Sequence, residues 1–219
     1  SNDRHGRFTD QTSGSGLGQS EGSQAVAVAD YNNDGFNDVL FVSGAHGKSG
    51  LYANNGDGTF RQDPAAWLKA MVDLVPKDAA FFDFDNDGFQ DILISGSPVS
   101  GGAKSIRLYH NDSKGGFMDA SALLPASVAS GVQLETTDFD KDGDLDIFVS
   151  DLKGKLHLLQ NEGGNLNHYL TLKLVGLRDG NSKNNHFGIG AKVEIRSGEL
   201  YQMKVVTEPV IHFGLGSRL

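Results

Sequence analysis

The residues with the clearest chemical potential in this chain are aspartates that recur in three segments of nine residues. The segments read DYNNDGFND at 30–38, DFDNDGFQD at 83–91 and DFDKDGDLD at 138–146. In each segment an acidic or amide side chain occupies positions 1, 3, 5 and 9, and glycine occupies position 6. A curled loop directs such alternate side chains inward, and glycine permits the positive φ of a sharp bend. The spacing therefore predicts three loops that gather oxygen ligands around a metal ion.

The type of ligand favours calcium. Hard oxygens in a flexible number, with one main-chain carbonyl from position 7, suit Ca²⁺, whereas Mg²⁺ prefers a tighter octahedron and retains several waters. Because Asn32 stands where the other loops have aspartate, the first of the three predicted Ca²⁺ sites is expected to bind most weakly. The predicted ligands are Asp30, Asn32, Asp34, Phe36 and Asp38 in the first loop, Asp83, Asp85, Asp87, Phe89 and Asp91 in the second, and Asp138, Asp140, Asp142, Asp144 and Asp146 in the third.

Clustered carboxylates carry an electrostatic cost that a cation would remove. Two carboxylates about 4–6 Å apart repel each other by roughly 1 kcal/mol or more even with generous screening. The formal net charge is −9, and three Ca²⁺ ions would bring it to about −3. An EF-hand begins in the same way but needs glutamate at position 12, where this chain has Phe41, Ile94 or Val149. Solvated turns without metal are the remaining alternative, and the threefold recurrence argues against them.

Apolar runs on both sides of each acidic segment indicate the elements that must position it. The first segment lies between AVAVA and VLFVSG, the second between DAAFF and ILISG, and the third between VQLETT and IFVS. Two more strand-like runs around a turn follow in each copy: LYANNGDGTF, LYHNDSKGGF and LHLLQNEGGNL. Each repeat is therefore predicted to contain four short strands. One short helix is expected over 63–74, whose Trp67 packs on the repeats or, alternatively, forms an exposed sugar-stacking platform.

The run AVAVADYNNDGFNDVLFVSG, followed by LYANNGDGTF, resembles the FG-GAP/VCBS-type repeats that form blades of calcium-bearing β-propellers, including the head of integrin α-chains. The resemblance covers residues 7 to 166. It implies an all-β fold with about three four-stranded propeller blades in residues 1–166 and a structural role for Ca²⁺. Closed propellers contain four to eight blades. The three blades are therefore expected to be part of a larger ring, completed by missing blades or by self-assembly, unless the last module covers an open edge.

The remainder, residues 167–219, resembles an ASPIC/UnbV domain. The motifs are NHYLTLKLVG at 167–176, NNHFGIGAKVEIRSG at 184–198 and IHFGLGS at 211–217. Alternating apolar residues, such as Leu170, Leu172 and Leu174 or Val193 and Ile195, predict the strands of a small β-sandwich-like module. Family members carry a longer glycine-rich segment where this chain has only residues 207–209, so this copy is either trimmed or lacks residues there.

Composition excludes several other classes of protein. The acidic net charge and the lack of a Lys/Arg footprint argue against nucleic-acid binding, and no apolar window is long enough for a membrane span. The absence of cysteine excludes disulfides, thiolate catalysis and Cys-based metal sites. The seven histidines lack metal-ligand spacing and are expected at surface or packing positions. No G-x-S-x-G nucleophile elbow is present.

The function implied by the resemblance is non-enzymatic and extracellular. We expect a secreted, cell-surface or periplasmic protein that acts in adhesion, matrix or surface-complex assembly and binds a protein or glycan ligand. Millimolar external calcium suits loops of modest affinity. Two alternatives stay open. A calcium-dependent polysaccharide lyase would need Arg, Lys or His side chains that converge with acids at a cleft, and a carbohydrate-binding protein would use Trp67.

Overall fold

The computed structural model describes residues 6, 8–17, 22–44, 48–65, 67–68, 71–101, 104–176 and 185–218. Within these ranges the chain forms fifteen strands in five antiparallel sheets, which confirms the prediction of an all-β fold. The strands are short because turn residues interrupt the apolar runs every few positions. None of the helices in the described ranges has the length and apolar character needed to cross a bilayer.

The first two repeats each form a four-stranded sheet whose strands are neighbours in chain order, as predicted. The two sheets have equivalent registers: Val39 lies opposite Val28 and Tyr52, and Ile92 lies opposite Phe81 and Tyr109. The strands of the first sheet are β1 (Ser23–Ala29), β2 (Asp38–Ser43), β3 (Gly50–Asn54) and β4 (Phe60–Gln62), and those of the second are β5 (Leu74–Phe82), β6 (Asp91–Pro98), β7 (Ile106–Asn111) and β8 (Phe117–Asp119).

The third repeat has three paired strands among its described residues: β9 (Gln133–Thr137), β10 (Asp146–Ser150) and β11 (Leu156–Leu159). The prediction of a fourth strand in this repeat is wrong, since Gly164–Leu166 form a short 3₁₀ helix. The carbonyl of Gly164 accepts a hydrogen bond from Asn86 Nδ2 at 3.1 Å. A Cβ at Gly164 would lie 2.4 Å from the carbonyl oxygen of Phe84. The segment is therefore held against the second acidic loop and does not pair with β11.

Apolar side chains are buried between consecutive sheets. Side chains alternate across a strand, so β6 presents Ile92 and Ile94 to the first sheet and Leu93 to the third. The partners of Ile92 and Ile94 include Leu40 and Leu51 of the first sheet. Leu93 shares its core with Leu108 of its own sheet and with Ile147 and Val149 of β10. One repeat cannot bury its apolar face alone, and the described residues form an open series of three stacked sheets, with no closed ring.

The C-terminal residues form two two-stranded sheets. Strand β12 (His168–Leu172) pairs with β15 (Ile211–Gly216), and β13 (Lys192–Ser197) pairs with β14 (Leu200–Val205). The strands predicted around Leu170 and Val193 are thus present. Phe213, Val206 and Ile211 form a small core shared by the two sheets.

Helical structure is a minor component of the described residues, as predicted. The helix Thr12–Ser15 contains two residues with non-helical backbone angles and is best regarded as two turns. A 3₁₀ helix spans Ser121–Leu123. The helix predicted over 63–74 includes residues 66, 69 and 70, which lie outside the described residues, while Trp67 and Leu68 are helical and Leu74 begins β5.

The Trp67 ring packs on the second sheet. Its centroid lies 4.5 Å from that of Tyr109 and 5.3 Å from that of Phe117. The side chain is partly buried against the core between the first two sheets. This placement favours packing on the repeats over an exposed platform for sugar rings.

Candidate metal-binding loops

Each acidic segment is the loop between the first two strands of its sheet. The first loop, residues 30–38, leads from β1 into β2, the second, residues 83–91, leads from β5 into β6, and the third, residues 138–146, leads from β9 into β10. Position 9 is the first residue of the following strand in all three loops. The position-9 side chains, Asp38, Asp91 and Asp146, are completely buried.

The position-9 carboxylate joins the loop to the third strand of its sheet. One oxygen accepts the backbone N–H of position 2, at 3.2, 3.1 and 3.1 Å in the three loops. The other oxygen accepts the N–H of an asparagine at or just after the end of the third strand. These asparagines are Asn54, Asn111 and Asn161, each at 2.8 Å. Position 9 is therefore fixed by the fold before any cation binds.

The three loops share one bend. The glycines at position 6 have φ of 89°, 95° and 100°, and the residues before position 5 have φ of 57°, 57° and 65°. Positive φ at the glycines confirms the reason given for their presence. In the first two loops the position-1 carboxylate accepts the N–H groups of positions 5 and 6. The distances are 3.0 and 2.9 Å for Asp30 and the same for Asp83.

The third loop leaves two buried carboxylate oxygens without a hydrogen-bond donor among the described residues. They are Oδ1 of Asp138 and Oδ1 of Asp144. A buried acceptor with no partner costs free energy, and a bound cation would supply the missing partner. The position-7 residue Asp144 was predicted to contribute only its carbonyl, yet its side chain is also completely buried.

Carboxylates converge in the second and third loops. Ligand atoms of Asp83, Asp85 and Asp87 all lie within 4.8 Å of one another. In the third loop, one carboxylate oxygen from each of Asp138, Asp140 and Asp146 likewise lies within 4.8 Å of the other two. These are hard oxygen donors at a separation that one ion can bridge, so the residues present fit a divalent cation such as Ca²⁺.

The first loop gathers fewer charges. Asn32 Nδ2 donates to Asp34 Oδ2 at 3.0 Å, so an internal hydrogen bond replaces a repulsion between carboxylates. No grouping of three carboxylates is found in this loop, all of whose residues are described.

Position 7 contributes a backbone N–H to the loop. The amides of Phe36, Phe89 and Asp144 donate to the position-5 carboxylate at 3.0, 2.8 and 3.2 Å. Phe36 is 44% exposed. The use of the position-7 carbonyl as a ligand stays a prediction.

Without a cation, the loops hold their carboxylates at a cost. Burial raises the pKa of Asp87 to about 6 and the pKa of Asp38 to about 7. Burial also raises the pKa of Asp83, and the charge of nearby Asp91 adds to the effect. A nearby positive charge favours the ionised form and would reverse these shifts. Burial raises the pKa of four further loop residues: Asp30, Asp91, Asp144 and Asp146.

Sequence reasoning missed one residue of the second loop's surroundings. His110, expected at a surface or packing position, has Nδ1 3.1 Å from Asp91 Oδ1 and 3.7 Å from Asp85 Oδ2. The hydrogen bond to Asp91 raises the pKa of His110 to about 9. The equivalent residue of the third repeat is Gln160, which donates to Asp140 Oδ2 at 2.7 Å. Alignment of YHN at 109–111 with LQN at 159–161 places His110 at the position of Gln160. This alignment is the sequence signal that could have revealed His110 as a neighbour of the loop.

Asparagine side chains connect each of the first two loops to the next repeat. Asn33 Nδ2 donates to the carbonyl of Gly88 at 3.0 Å, and Asn86 Nδ2 donates to the carbonyl of Gly143 at 2.8 Å. In the opposite direction, Asn111 Nδ2 donates to the carbonyl of Tyr31 at 2.9 Å. Asn161 Nδ2 likewise donates a hydrogen bond to the carbonyl of Phe84 at 2.6 Å. The loops thus form one hydrogen-bonded series.

The C-terminal sheets cover the bend of every loop. A Cβ at Gly35 would lie 2.9 Å from Tyr201 Oη, and one at Gly88 would lie 2.5 Å from Leu200 Cδ2. The third bend, at Gly143, is covered in the same way by the ring of Tyr169. Polar bonds accompany this packing: Lys192 Nζ donates to the carbonyl of Gly35 at 3.2 Å, Asn167 Nδ2 to that of Asp85 at 2.8 Å, and the N–H of Gly216 to that of Asn86 at 2.7 Å.

Together these observations define a class of protein: consecutive antiparallel sheets, each with an acidic, glycine-bent loop between its first two strands. Residues 30–94 and 99–149, more than half of the chain, match the model of the FG-GAP-like repeat. The chain therefore belongs to the FG-GAP-like repeat family. No curated protein sequence matches it significantly.

Proposed function

We propose that this chain is an extracellular calcium-binding repeat protein in which Ca²⁺ locks each acidic loop to its sheet. The observation that carries the proposal is the convergence of three carboxylates around one buried aspartate in each of the second and third loops, with ligand atoms within 4.8 Å of one another. Family membership supports the same conclusion. The ions would be held by positions 1, 3, 5, 7 and 9 of the loops, with the first site weakest because of Asn32.

The role of calcium in this proposal is structural. When bound, the ion supplies positive charge that offsets the mutual repulsion of the loop carboxylates. Position 9 is already anchored to the third strand, and position 1 is anchored to the loop amides in the first two loops. The loops in turn contact the next repeat and the C-terminal sheets. Calcium would therefore stabilise contacts between sheets as well as each loop.

The biological setting is also a proposal. A structural Ca²⁺ site of modest affinity is filled at millimolar external calcium and mostly empty at cytosolic concentrations. We place the protein outside the cytoplasm, in adhesion, matrix or surface-complex assembly with a protein or glycan ligand. The VCBS-type character of the repeats, the boundary at residue 166 and the ASPIC/UnbV-like nature of residues 167–219 are supported by the sequence motifs quoted above.

Isothermal titration calorimetry of calcium-depleted protein tests the metal assignment. We expect saturable binding of Ca²⁺, with Mg²⁺ binding much more weakly, and a lower melting temperature after chelation, since a ligand bound only to the native state stabilises it. An unchanged melting temperature and no heat of Ca²⁺ binding would overturn the proposal.

Binding assays separate the alternatives for function. Turnover of an acidic polysaccharide that stops with chelator would replace the proposal by a lyase. Glycan-array binding that survives mutation of the loop aspartates but is lost in Trp67→Ala would replace it by a carbohydrate-binding function. Calcium-dependent adhesion to cells or matrix that survives Trp67→Ala would support the role proposed here.

A further inference from the structure

The contact between the first two sheets is filled by aromatic rings. Tyr31 of the first loop stacks on Phe81 of β5, with ring centroids 6.4 Å apart. Trp67 packs on Tyr109 and Phe117, with ring centroids 4.5 and 5.3 Å away. The Phe117 ring also lies 5.8 Å from the Tyr31 ring. Five rings therefore meet in one cluster where these two sheets face each other.

The contact between the second and third sheets keeps one ring at these five positions. Phe84, at position 2 of the second loop, is the equivalent of Tyr31. Phe117 begins β8, and the third sheet has no fourth strand among its described residues. Smaller side chains replace the other three rings. The replacements, assigned from strand register and from the distance to the preceding strand, are Leu159 for Tyr109, Leu124 for Trp67 and Thr136 for Phe81.

A cavity of about 380 Å³ lies where the second contact lacks these rings. Its lining includes Phe84, Leu124 and Leu159, which stand at three of the five ring positions. Leu123 also lines the cavity and is 69% exposed, so the cavity can be reached from solvent. Ligand pockets in proteins are mostly apolar and have volumes of roughly 300–1,000 Å³. Both the size and the lining of the cavity therefore suit a ligand.

The charged groups at the cavity are acidic. Asp85 and Glu162 line it, and no basic side chain is among the described residues that do so. Asp85 is a predicted calcium ligand and lies 3.7 Å from His110, which offsets its charge. Glu162 is exposed and forms no ion pair within the described part of the chain. The Glu162 carboxylate is therefore free to attract a cationic group of a ligand.

We propose that this cavity binds an aromatic side chain of a protein partner, with a basic residue next to it in the partner's sequence. The ring is inferred from the first contact, where Trp67 and its neighbours fill the equivalent space, and the basic residue is inferred from Glu162. Aromatic and arginine side chains are also the commonest anchors of protein interfaces. The choice of a protein as the partner rests on the proposed role in assembly. The site itself does not depend on calcium, since Glu162 lies outside the loops.

A titration of the full chain, labelled with ¹⁵N, with the peptide acetyl-GWRG-amide tests the proposal by NMR, with calcium present throughout. The amide signals of Leu124, Leu159 and Glu162 should shift, with a dissociation constant of about 1 mM or tighter. Leucine in place of the peptide's tryptophan should weaken binding at least about tenfold, since the anchoring ring is lost. Glutamate in place of its arginine should weaken binding about threefold, the effect of an exposed ion pair.

Two variants of the protein locate the site. Leu159→Tyr introduces the ring of the first contact into the cavity and should weaken peptide binding at least about tenfold. The matched control is Leu156→Tyr, since Leu156 is 63% exposed and lies on the opposite face of β11; it should bind like the wild type. Circular dichroism establishes that both variants are folded. Glu162→Gln should abolish the preference for arginine over glutamate in the peptide, and this exposed substitution tests the site without changing the core.

No binding of acetyl-GWRG-amide at concentrations up to about 10 mM, ten times the expected dissociation constant, would overturn the proposal. Equal affinity for the tryptophan and leucine peptides, or unchanged binding by Leu159→Tyr, would overturn it too. Calcium binding is measured separately on the same protein. A chain that binds calcium but no peptide would refute only the site proposed here, and a chain that binds the peptide but no calcium would support this site and refute the calcium role.

Discussion

Substitution of Asp87 by asparagine should have opposite effects on stability with and without calcium. Asp87 belongs to the group of three carboxylates in the second loop, whose ligand atoms lie within 4.8 Å of one another. At that separation two unit charges repel by about 3 kcal/mol at an effective dielectric of 20 and by about 1 kcal/mol in bulk water. The amide of asparagine keeps an oxygen that can accept the N–H of Phe89, now 2.8 Å from Asp87 Oδ1. The substitution therefore removes a charge with little loss of hydrogen bonding.

The magnitude follows from these interactions. Asp87 has two carboxylate neighbours in the group, Asp85 is partly exposed, and proton uptake relieves part of the repulsion. We expect Asp87→Asn to stabilise the calcium-depleted protein by about 1–2 kcal/mol, which is roughly 2–8 °C in melting temperature for a chain of this size. With calcium at about a hundred times its dissociation constant, loss of the site should cost about 2.7 kcal/mol. After the gain from relieved repulsion, the variant should be less stable than the wild type by about 0.7–1.7 kcal/mol, or roughly 1–7 °C.

Differential scanning calorimetry of wild type and variant, each with chelator and with calcium, measures both effects. The matched control is Asp112→Asn in the β7–β8 turn, where Asp112 Oδ1 accepts the N–H groups of Lys114 and Gly116 at 2.8 Å. Asp112→Asn should change the melting temperature equally in both conditions. If Asp87→Asn also shifts it by the same amount and in the same direction in both, the loop is a solvated turn and the reasoning is refuted.

Three further predictions concern pH, packing and the histidine beside the second loop. The raised pKa values of Asp38 and Asp87, about 7 and about 6 against an ordinary 3.8, mean that the calcium-depleted native state binds more protons than the unfolded state. Its melting temperature should therefore rise as pH falls from 8 to about 5, and a flat or falling profile would contradict this. Gly88→Ala should destabilise the protein more than Gly115→Ala. The two glycines have similar φ, 95° and 90°, but a Cβ at Gly88 would meet Leu200, whereas a Cβ at Gly115 would point into open space. Equal losses of melting temperature in the two variants would show that the C-terminal sheets do not pack tightly on the loop. His110→Gln introduces the residue that the third repeat has at the equivalent position and removes a positive charge from beside the second loop. Ca²⁺ binding should become about fivefold tighter near pH 7, a gain of about 1 kcal/mol. Weaker binding in titration calorimetry would instead indicate that His110 is a ligand.

The acidic loops and the strands around them could be predicted because both depend on local signals. The D-x-D-x-D-G spacing, the glycine bend and the apolar runs all lie within about 20 residues of one another in each repeat. Recurrence then placed the second copy in the same context as the first. Recurrence also predicted four strands in the third repeat, but its described residues form three strands and a short 3₁₀ helix. There, Gly164 is held by Asn86 and by the backbone of Phe84, nearly 80 residues away in sequence.

The contacts between loops could not be predicted, since they connect residues distant in sequence. Asn33 and Asn86 look like ordinary turn residues, yet each donates to the loop of the next repeat. The cover that Tyr169, Leu200 and Tyr201 provide for the three bends depends on how the C-terminal sheets dock. His110 carries no motif of its own and becomes part of the site through β7, which lies beside β6. Tertiary packing decides all of these.

A crystal structure grown in calcium, with anomalous scattering recorded at long wavelength, tests the central claim most directly. We predict an anomalous peak at the centre of the second and third loops, surrounded by the aspartates of positions 1, 3, 5 and 9, and a weaker peak in the first loop. Ordered water with no anomalous signal in all three loops would contradict it.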